Sequence, residues 1–318
     1  MDFRVSVIVP VFNGQAYLEQ AVESALAQPE AEEILIVEDG SSDDSPALSR
    51  NLATRDHRIR VLQHPGQGNR GTGASRNLGI QHSHLPYLAF LDADDYFLPA
   101  RFAETRALLE GEPMMDGVYE AVEGIFQDKA TERRWRHYGP GRRVTRLTKA
   151  VNPEQLFEAL LLGSYGHIHI DGLTVHRNVI GRSGPFNERL RLHQDTEFCL
   201  RLAAVARLIP GSQRPVAIRR FHDRSRILAA REHPDETSIS DMYDQLLDWA
   251  EANLGRREQA LIHQAAPLAQ LRARSGQYGW PRRTWYLFSA LVADRSLAGN
   301  LSYWKLHVHG LRRMRDLL

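Results

Sequence analysis

The stretch VSVIVPVF, residues 5–12, decides the fold of the N-terminal half of the chain. It is a short apolar run, the pattern of a β-strand that is buried on both faces. Residues 16–28 then carry apolar side chains at helical spacing, and a second apolar run follows at residues 32–39. Buried strands that alternate with amphipathic helices through short connections predict a parallel sheet with helices on its faces.

The same alternation continues through the first hundred residues. Helices are predicted at 45–55, with Ser45 as N-cap, and at 73–83, and strands are predicted at 58–64 and 87–92. The expected fold class is therefore α/β, with a doubly wound, mostly parallel, Rossmann-like sheet. In such a sheet, ligands gather at the carboxyl ends of the strands.

The second half of the chain is less regular. Residues 129–149 hold eight Lys or Arg residues against one acidic residue, with Gly139, Pro140 and Gly141 among them, and this composition predicts a basic loop. The other predicted elements are one or two strands at 115–127, a helix at 152–163, a strand at 172–177, a helix at 196–208, a strand at 215–222 and helices from 237 onward. We therefore expect a C-terminal helical extension.

The composition is that of an ordinary globular protein, with 42% hydrophobic and 25% charged residues among 318. A net charge of +1 gives no reason to expect a nucleic-acid partner. The single cysteine, Cys199, excludes an internal disulfide framework and a cysteine-based zinc cage. The N-terminal residues lack a signal-peptide pattern and no window of about 18 apolar residues occurs, so we expect a cytoplasmic location without a spanning helix.

Polar residues follow three of the predicted strands at the point where each strand ends. Asn13 follows the first strand and Asp39 the second, and the sequence FLDADD places Asp92, Asp94 and Asp95 after the fourth. Because these ends meet at one edge of a parallel sheet, we expect the carboxylates to hold a divalent cation, Mg²⁺ or Mn²⁺, and with it a phosphate-bearing ligand. The alternative is that the three aspartates only cap the following helix in solvent.

The segment GQGNRGTGAS, residues 66–75, is rich in glycine and precedes a predicted helix, as phosphate-binding loops do. It follows the third strand instead of the first and lacks a Gly-Lys-Ser/Thr ending, which disfavours both a P-loop and a dehydrogenase-type loop. A sugar-phosphate nucleotidyltransferase would call for a Gly-rich loop with a basic residue after the first strand, and PVFNGQAY does not supply one.

Four segments in this order and at this spacing, VSVIVPVFNG, ILIVEDGSSDDS, GASRNLGI and FLDADD, resemble the family 2 glycosyltransferases, which have the GT-A nucleotide-sugar fold. The resemblance is dense over residues 1–110 and patchy over 170–226. There, VIGRSGPFNERLRLHQDTEFCLRL is similar to the family's acceptor-side segment, and RRFHDRS to its Arg-x-His-x-x-Ser stretch. The resemblance implies an inverting, metal-assisted transfer of a sugar from a nucleotide-diphosphate sugar to a glycan or lipid-linked acceptor.

The resemblance also implies roles for single residues. Asp195 would be the catalytic base, and Asp92 and Asp94 the Asp-x-Asp pair, with Asp94 the direct metal ligand. His222 would assist at the metal or the diphosphate. The residues implied at the nucleotide are Pro10, Phe12, Asn13, Asp39, Arg76 and Asp92, and those with weaker implied contacts to the diphosphate or the acceptor are Asn77, Asp95, Gln194 and Arg220.

Asp195 has an alternative role, because it lies just before the apolar helical segment TEFCLRL and could serve as its N-cap. The chain has Gln194 where the family more often has Glu, but it keeps the aspartate, and Glu197 is the second candidate for the base. His167 and His169 alternate in a strand-like segment, and we prefer a surface or acceptor-cleft position for both over metal ligation.

The C-terminal residues 272–318 mix arginines with aromatic residues. Two interpretations are open: basic amphipathic helices at an anionic membrane surface, peripheral to the inner face of the plasma membrane, or a helical appendage that packs on the protein or on a second copy in a homo-oligomer. The predicted organisation is a nucleotide-sugar half at 1–112, an acceptor and catalytic-base half of the same domain at 113–230, and a helical region at 231–318.

Two other classes of function stay open: a nucleotidyltransferase for sugar phosphates, and a catalytically silent nucleotide-binding or scaffold protein. The intact set of Asp39, Asp92, Asp94 and Asp195 argues against a silent protein. Hydrolysis of a nucleotide sugar would exclude it.

Overall fold

The computed structural model describes residues 2–66, 68–137, 144–147, 149–163, 165–225 and 236–276. The chain divides into two compact units. The first comprises residues 1–125 and 142–220, and the second comprises residues 126–141 and 221–318. The first unit contains nearly all of the sheet and, with the exception of His222, every residue to which the sequence assigned a site role.

The N-terminal part of the sheet is parallel, as predicted. Strand β1 (Val5–Val11) pairs with β2 (Ala31–Glu38) on one side and with β4 (Tyr87–Phe90) on the other, and β3 (Ile59–Gln63) pairs with β2. All seven residues of β1 are buried, which explains why its sequence is apolar without alternation. The order β3-β2-β1-β4 places β1 in the middle of the parallel strands.

Helices cover both faces of these strands. They are α1 (Leu18–Leu26), α2 (Ser45–Arg55) and α3 (Thr72–His82). Val22 of α1 lies in one core with the odd-numbered residues of β1, such as Val7. A Cβ on Gly79 of α3 would lie only 2.5 Å from Cγ2 of Ile8, so α3 packs on the other face. The doubly wound α/β prediction is therefore confirmed.

After β4 the sheet continues with antiparallel strands. They are β5 (Tyr96–Phe97), β6 (Gly117–Phe126), β7 (Val144–Thr145), β8 (Leu173–His176) and β9 (Leu208–Phe221). Strand β8 lies between β4 and β6, and β9 lies between β6 and β5. Strand β9 therefore runs beside the segment that directly follows the predicted metal-binding aspartates.

The remaining helices are α4 (Ala103–Gly111), α5 (Lys129–His137), α6 (Pro153–Leu161), α7 (Ile180–Ser183), α8 (Gln194–Val205), α9 (Glu236–Asn253) and α10 (Arg256–Gly276). Helix α6 has Asn152 as its N-cap and Pro153 as its first residue, as its sequence predicts. Helix α8 begins at Gln194, two residues earlier than predicted.

Two predictions of local structure are wrong. The basic segment that begins at Lys129 does not form a loop throughout, because it contains α5, which buries Trp135 while Lys129 stays exposed. The prediction of a loop relied on the number of charged residues and did not consider the helical spacing of Trp135 among them. The N-cap of α2 is Asp44 and not Ser45; Ser45 is buried, and its hydroxyl accepts a hydrogen bond from the backbone N–H of Gly14 at 3.0 Å.

The second unit contains an apolar cluster of Trp135, Phe221 and Phe126. Helices α9 and α10 pack against each other, so the C-terminal region is helical over the part that the structure describes. None of the helices in that part is both long enough and apolar enough to cross a membrane. The aromatic and arginine residues beyond position 276, on which the two interpretations of the C-terminal tail depend, lie outside the described residues.

Candidate active site

The acidic turn (residues 92–95) follows β4 and carries three carboxylates. One carboxylate oxygen each from Asp92, Asp94 and Asp95 lies within 4.8 Å of the others. Asp95 is buried, and its Oδ1 accepts a hydrogen bond from the backbone N–H of Arg220 at 2.7 Å, whereas Asp92 and Asp94 are partly exposed. Clustered carboxylate oxygens are the ligands that Mg²⁺ and Mn²⁺ prefer.

Two buried residues from the segment before β8 join this turn. The backbone N–H of Asp92 donates to Oδ1 of Asp171 at 3.2 Å, and the backbone N–H of Asp171 donates to Nδ1 of His169 at 3.3 Å. Asp171 and His169 form, with Asp95, a second group of ligand-type atoms within 4.8 Å. The surface position considered for His169 is therefore wrong, because His169 is buried while His167 is exposed, and a position at the acceptor cleft stays a prediction.

Burial controls the protonation of this group. Burial, together with repulsion from Asp92, raises the pKa of Asp171 to about 7. Burial and the neighbouring carboxylates also raise the pKa of Asp95 well above its ordinary value. Burial and the charge of Arg219 lower the pKa of His169 to about 4. Asp95 and Asp171 therefore ionise together more readily when a positive charge is added beside them.

Arg76 of α3 brings a positive charge to this edge, although it is only 2% exposed. Its Nη2 donates to Oδ1 of Asp92 at 2.5 Å, and its guanidinium carbon lies 5.2 Å from the ring centroid of Phe186. Burial lowers the pKa of Arg76, but attraction to Asp92 and Asp195 outweighs burial, and the pKa is raised. Nε and Nη1 of Arg76 have no hydrogen-bond partner among the described residues. Arg76 therefore stays charged between two carboxylates of the site.

Asp195 lies in the first turn of α8. The N-cap of this helix is His193, whose φ is +62°, so the N-cap role considered for Asp195 is wrong. Burial raises the pKa of Asp195, but Arg76 and His169 lower it by more, so that the pKa is below its ordinary value. A partly exposed carboxylate that stays ionised at neutral pH meets the basic requirement for a general base.

Three other candidate residues of the site, namely Glu197, Asn77 and Gln194, are buried. Glu197 is 1% exposed and accepts two hydrogen bonds from Arg201, at 2.6 and 2.8 Å, which disfavours it as the base. Asn77 exchanges two hydrogen bonds with the backbone of Phe186, at 2.9 and 2.8 Å, and so ties α3 to the segment before α8. Gln194 is buried, and its Oε1 has no partner among the described residues.

The residues predicted at the nucleotide lie at the end of β1. Pro10 is within the strand, and Phe12 and Asn13 follow it. Phe12 is 51% exposed, which is unusual for a large apolar side chain in the part of the chain that the structure describes. Asn13 has a φ of +52°, and its Oδ1 accepts a hydrogen bond from the backbone N–H of Ser42 at 2.8 Å. At this edge of the sheet, the exposed ring of Phe12 therefore lies next to Asn13, whose turn is held by a hydrogen bond from Ser42.

Asp39 follows β2 and is buried. Its two carboxylate oxygens accept hydrogen bonds from the backbone N–H groups of Arg70 and Gly71, at 2.7 and 2.9 Å. Asp39 thereby fixes the glycine-rich segment that leads into α3. Each carboxylate oxygen can accept a further hydrogen bond, so the contact of Asp39 with a base or ribose remains a prediction.

His222 belongs to the second unit. It is buried, its Nδ1 accepts a hydrogen bond from the backbone N–H of Arg224 at 3.2 Å, and its backbone N–H donates to Oγ of Ser225 at 2.9 Å. Its assistance at a metal or diphosphate stays a prediction.

Solved structures of glycosyltransferases superpose on this fold. The mannosyltransferase PcManGT from Pyrobaculum calidifontis, in complex with GDP-Man and Mn²⁺, matches with a TM-score of 0.59 and 17% identity over 97% of this chain and 79% of that chain. S. aureus TarS 1–349 in complex with UDP-GlcNAc matches with a TM-score of 0.56 and 15% identity over 90% and 87% of the two chains. The fold is of the GT-A type.

Comparison of sequences points to the same class of enzyme. Residues 6–160 match the family model described as Glycosyl transferase family 2. The succinoglycan biosynthesis protein ExoU of Rhizobium meliloti (strain 1021) is 28% identical over 244 residues, which are 71% of this chain and 69% of that protein. Further curated relatives, many of them uncharacterized glycosyltransferases, are 36–44% identical over 93–99 residues, and the chain covers only 14–36% of their lengths. The chain is thus similar to the family 2 glycosyltransferases over residues 6–160, and these matches together identify it as a glycosyltransferase with a GT-A fold.

Proposed function

We propose that this glycosyltransferase moves a sugar, with inversion, from a nucleoside-diphosphate sugar to a hydroxyl of a glycan or lipid-linked acceptor in the synthesis of a cell-surface polysaccharide. The observation that carries the proposal is the position of Arg76, which binds Asp92 of the acidic turn and lowers the pKa of Asp195. Departure of the nucleotide and activation of the acceptor would thus both take place beside the buried guanidinium of Arg76.

The donor would lie along the ends of β1, β2 and β4. Phe12 would offer its exposed ring to the base, with Pro10, Asn13 and Asp39 lining the same pocket. Asp94 and Asp92 would hold Mn²⁺ or Mg²⁺. The fit is supported by oxygen-only donors from three side chains within 4.8 Å, two of them partly exposed. When bound, the cation would neutralise charge on the diphosphate leaving group.

Asp195 would act as the general base. Its carboxylate takes the proton of the acceptor hydroxyl as the hydroxyl oxygen forms a bond to the anomeric carbon, while the bond from that carbon to the diphosphate oxygen breaks and the nucleoside diphosphate leaves with the electron pair. A single displacement of this kind inverts the anomeric centre, so an α-linked donor gives a β-linked product. Attraction to Arg76 offsets the burial of Asp195, which by itself would raise its pKa, and so favours the ionised carboxylate.

The acceptor class is proposed from the relatives. ExoU is named for succinoglycan biosynthesis, which is the synthesis of a polysaccharide. By analogy, residues 113–230 would bind a glycan or lipid-linked acceptor. Peripheral contact of the C-terminal tail with the inner face of the plasma membrane, and assembly of a homo-oligomer, would both be compatible with such an acceptor.

The donor site is tested by thermal denaturation of the full chain with UDP, GDP, CDP and dTDP, each with and without Mn²⁺. A ligand that binds only the native state raises the melting temperature. We expect one nucleotide to do so in a metal-dependent way, and Asp94→Ala to abolish the shift. Glu104→Ala removes an exposed carboxylate of α4 and should keep it. No shift with any nucleotide would overturn the proposed donor site.

The stereochemistry is tested separately, with the nucleotide sugar that the thermal screen selects. We expect the anomeric proton of the transferred sugar, or of the sugar released by hydrolysis, to show by NMR the configuration opposite to that in the donor. A retained configuration would contradict the single displacement with Asp195 as base.

A further inference from the structure

We propose that Arg220 is a positioning residue, which holds the acidic turn in the shape that binds the divalent cation. This inference rests on the metal site of the proposed function. Arg220 lies near the end of β9, and its Nη1 donates to the backbone carbonyl of Asp94 at 2.7 Å. Its own backbone N–H donates to Oδ1 of Asp95 at 2.7 Å. One residue thus binds two consecutive residues of the turn.

The guanidinium is itself held in place from several sides. Its carbon lies 4.7 Å from the ring centroid of Tyr96 and 5.2 Å from that of Tyr17, both within range of a cation–π interaction. Its Nη2 donates to the side-chain oxygen of Gln20 on α1. Strand β9 is fixed to the segment after the turn, since Tyr96 pairs with Ile218 in the antiparallel ladder. Arg220 therefore connects the turn to two rigid elements.

This geometry favours an indirect role over the contact with the diphosphate or acceptor that the sequence resemblance implied. Nη1 and Nη2 of Arg220 are directed at Asp94 and Gln20, which are protein groups. The direction of the Asp94 carboxylate depends on the orientation of its own peptide unit, and Arg220 fixes the carbonyl of that unit. Groups that orient a metal ligand through hydrogen bonds typically contribute a factor of about 10 to 100 in metal affinity.

The test is direct binding of Mn²⁺ to the full chain without substrate, measured from the electron paramagnetic resonance signal of free Mn²⁺. We expect Arg220→Gln to raise the Kd for Mn²⁺ by at least about 10-fold. Arg214→Gln is the matched control, because Arg214 lies on the same strand and its side chain is exposed, and it should leave the Kd unchanged. Gln20 is exposed, and Gln20→Ala removes the side chain that binds Nη2 of Arg220. This variant should raise the Kd for Mn²⁺ by less than Arg220→Gln does.

Asp94→Asn separates this inference from the metal site on which it rests. If Asp94→Asn weakens Mn²⁺ binding while Arg220→Gln and Gln20→Ala leave it unchanged, the positioning role is overturned and the metal site stands. If the wild type binds no Mn²⁺, or Asp94→Asn binds it equally well, the metal site fails and the positioning role with it. Should Arg220→Gln not fold, as judged by circular dichroism, the Kd of the Gln20→Ala variant decides.

Discussion

Asp195 and Glu197 are two carboxylates in the first turn of α8, yet their surroundings give them different properties. Asp195 is partly exposed, while Glu197 is buried against Arg201 one turn later. A base has to exchange its proton with a substrate, and a carboxylate locked in a buried ion pair cannot do so without breaking that pair. We therefore expect Asp195 to act in catalysis and Glu197 to stabilise the fold, although both lie in the same turn of α8.

Substitution separates the two roles. Asp195→Asn removes the proposed base without changing its size, and we expect kcat to fall by about 10³-fold. The nucleotide-dependent rise in melting temperature should persist, because the donor residues are untouched. The measurements are sugar transfer by product analysis and thermal denaturation with nucleotide. A kcat within a factor of two of the wild-type value would exclude Asp195 as the base.

Glu197→Gln should act on stability instead. Removing one partner of a buried ion pair leaves the buried charge of Arg201 without its carboxylate, and we expect the free energy of unfolding to fall by about 3 to 5 kcal/mol. The double variant Glu197→Gln, Arg201→Met removes both charges and should recover part of this loss. Urea denaturation measures both. Equal stability of the single variant and the wild type would show that the pair does not contribute.

Among single residues, the sequence predicts which carboxylates gather at strand ends, such as Asp92 and Asp94, whereas Asp195 enters the candidate site only through the family resemblance. In the structure, the charges of both Asp92 and Asp195 act on Arg76. Asp171 and His169 are not predictable in this way, because they lie in an irregular segment and a 3-10 turn before β8, where no strand or helix periodicity applies. His167 and His169, two residues apart, would share one face of a strand, yet His167 is exposed and His169 is buried.

At the scale of elements, the approach of α3 to β1 depends on a missing side chain. A Cβ at position 79 would lie 2.5 Å from Cγ2 of Ile8, well inside van der Waals contact. We expect Gly79→Ala to lower the free energy of unfolding by about 1 to 3 kcal/mol through overpacking. Gly181→Ala is the control, because a Cβ at Gly181 meets nothing within 4 Å, and its effect should stay within about 0.5 kcal/mol. Urea denaturation that gives equal effects would contradict the close packing of α3 on β1.

Strand β2 carries a buried carboxylate, that of Glu33, whose ionisation stabilises the fold. Burial raises the pKa of Glu33, but hydrogen bonds from Ser6 (2.6 Å), His84 (2.9 Å) and Arg60 (2.7 Å) lower it by more, to a value below 4.5. Since the pKa of the folded state is the lower one, the contribution to stability is present above about pH 4.5 and is lost as the pH falls through the folded-state pKa.

The consequence is a difference between variants that depends on pH. Glu33→Gln cannot ionise, so we expect the gap in free energy of unfolding between wild type and Glu33→Gln to be largest near neutral pH and to shrink on acidification below about pH 4.5. Urea denaturation along a pH series measures the gap, with the exposed Glu104→Gln as the control. A gap that widens on acidification would mean that the pKa of Glu33 is raised in the folded protein.

The strands and helices of the parallel half could be predicted almost to the residue, because their hydrophobic patterns are local. The neighbours of the antiparallel strands could not be. Strand β8 inserts between β4 and β6, and β9 pairs with β5 across more than a hundred residues of sequence. No local pattern encodes such a pairing, because it depends on which exposed sheet edges remain when each strand is added. Asp171 and Arg220 reach the acidic turn only through these pairings.

At the scale of the whole molecule, the two compact units carry different intrinsic probes. The single cysteine, Cys199, lies in α8 of the first unit and is buried, and burial raises the pKa of its thiol. Residues 1–125 and 142–220 contain no tryptophan, so all five tryptophans fall at positions of the second unit. Thiol reactivity therefore reports on unfolding of the first unit, and tryptophan fluorescence reports on the second.

A ligand stabilises the part of a protein that binds it, by mass action. The proposed donor site lies almost wholly in the first unit, so the nucleotide selected by the thermal screen, added with Mn²⁺, should raise the urea midpoint for Cys199 labelling by more than the midpoint for tryptophan fluorescence. Asp94→Ala should abolish both shifts. Equal shifts of the two probes in the wild type would mean that the units unfold as one cooperative body. A shift confined to fluorescence would place nucleotide binding in the second unit and overturn the donor site at the ends of β1, β2 and β4.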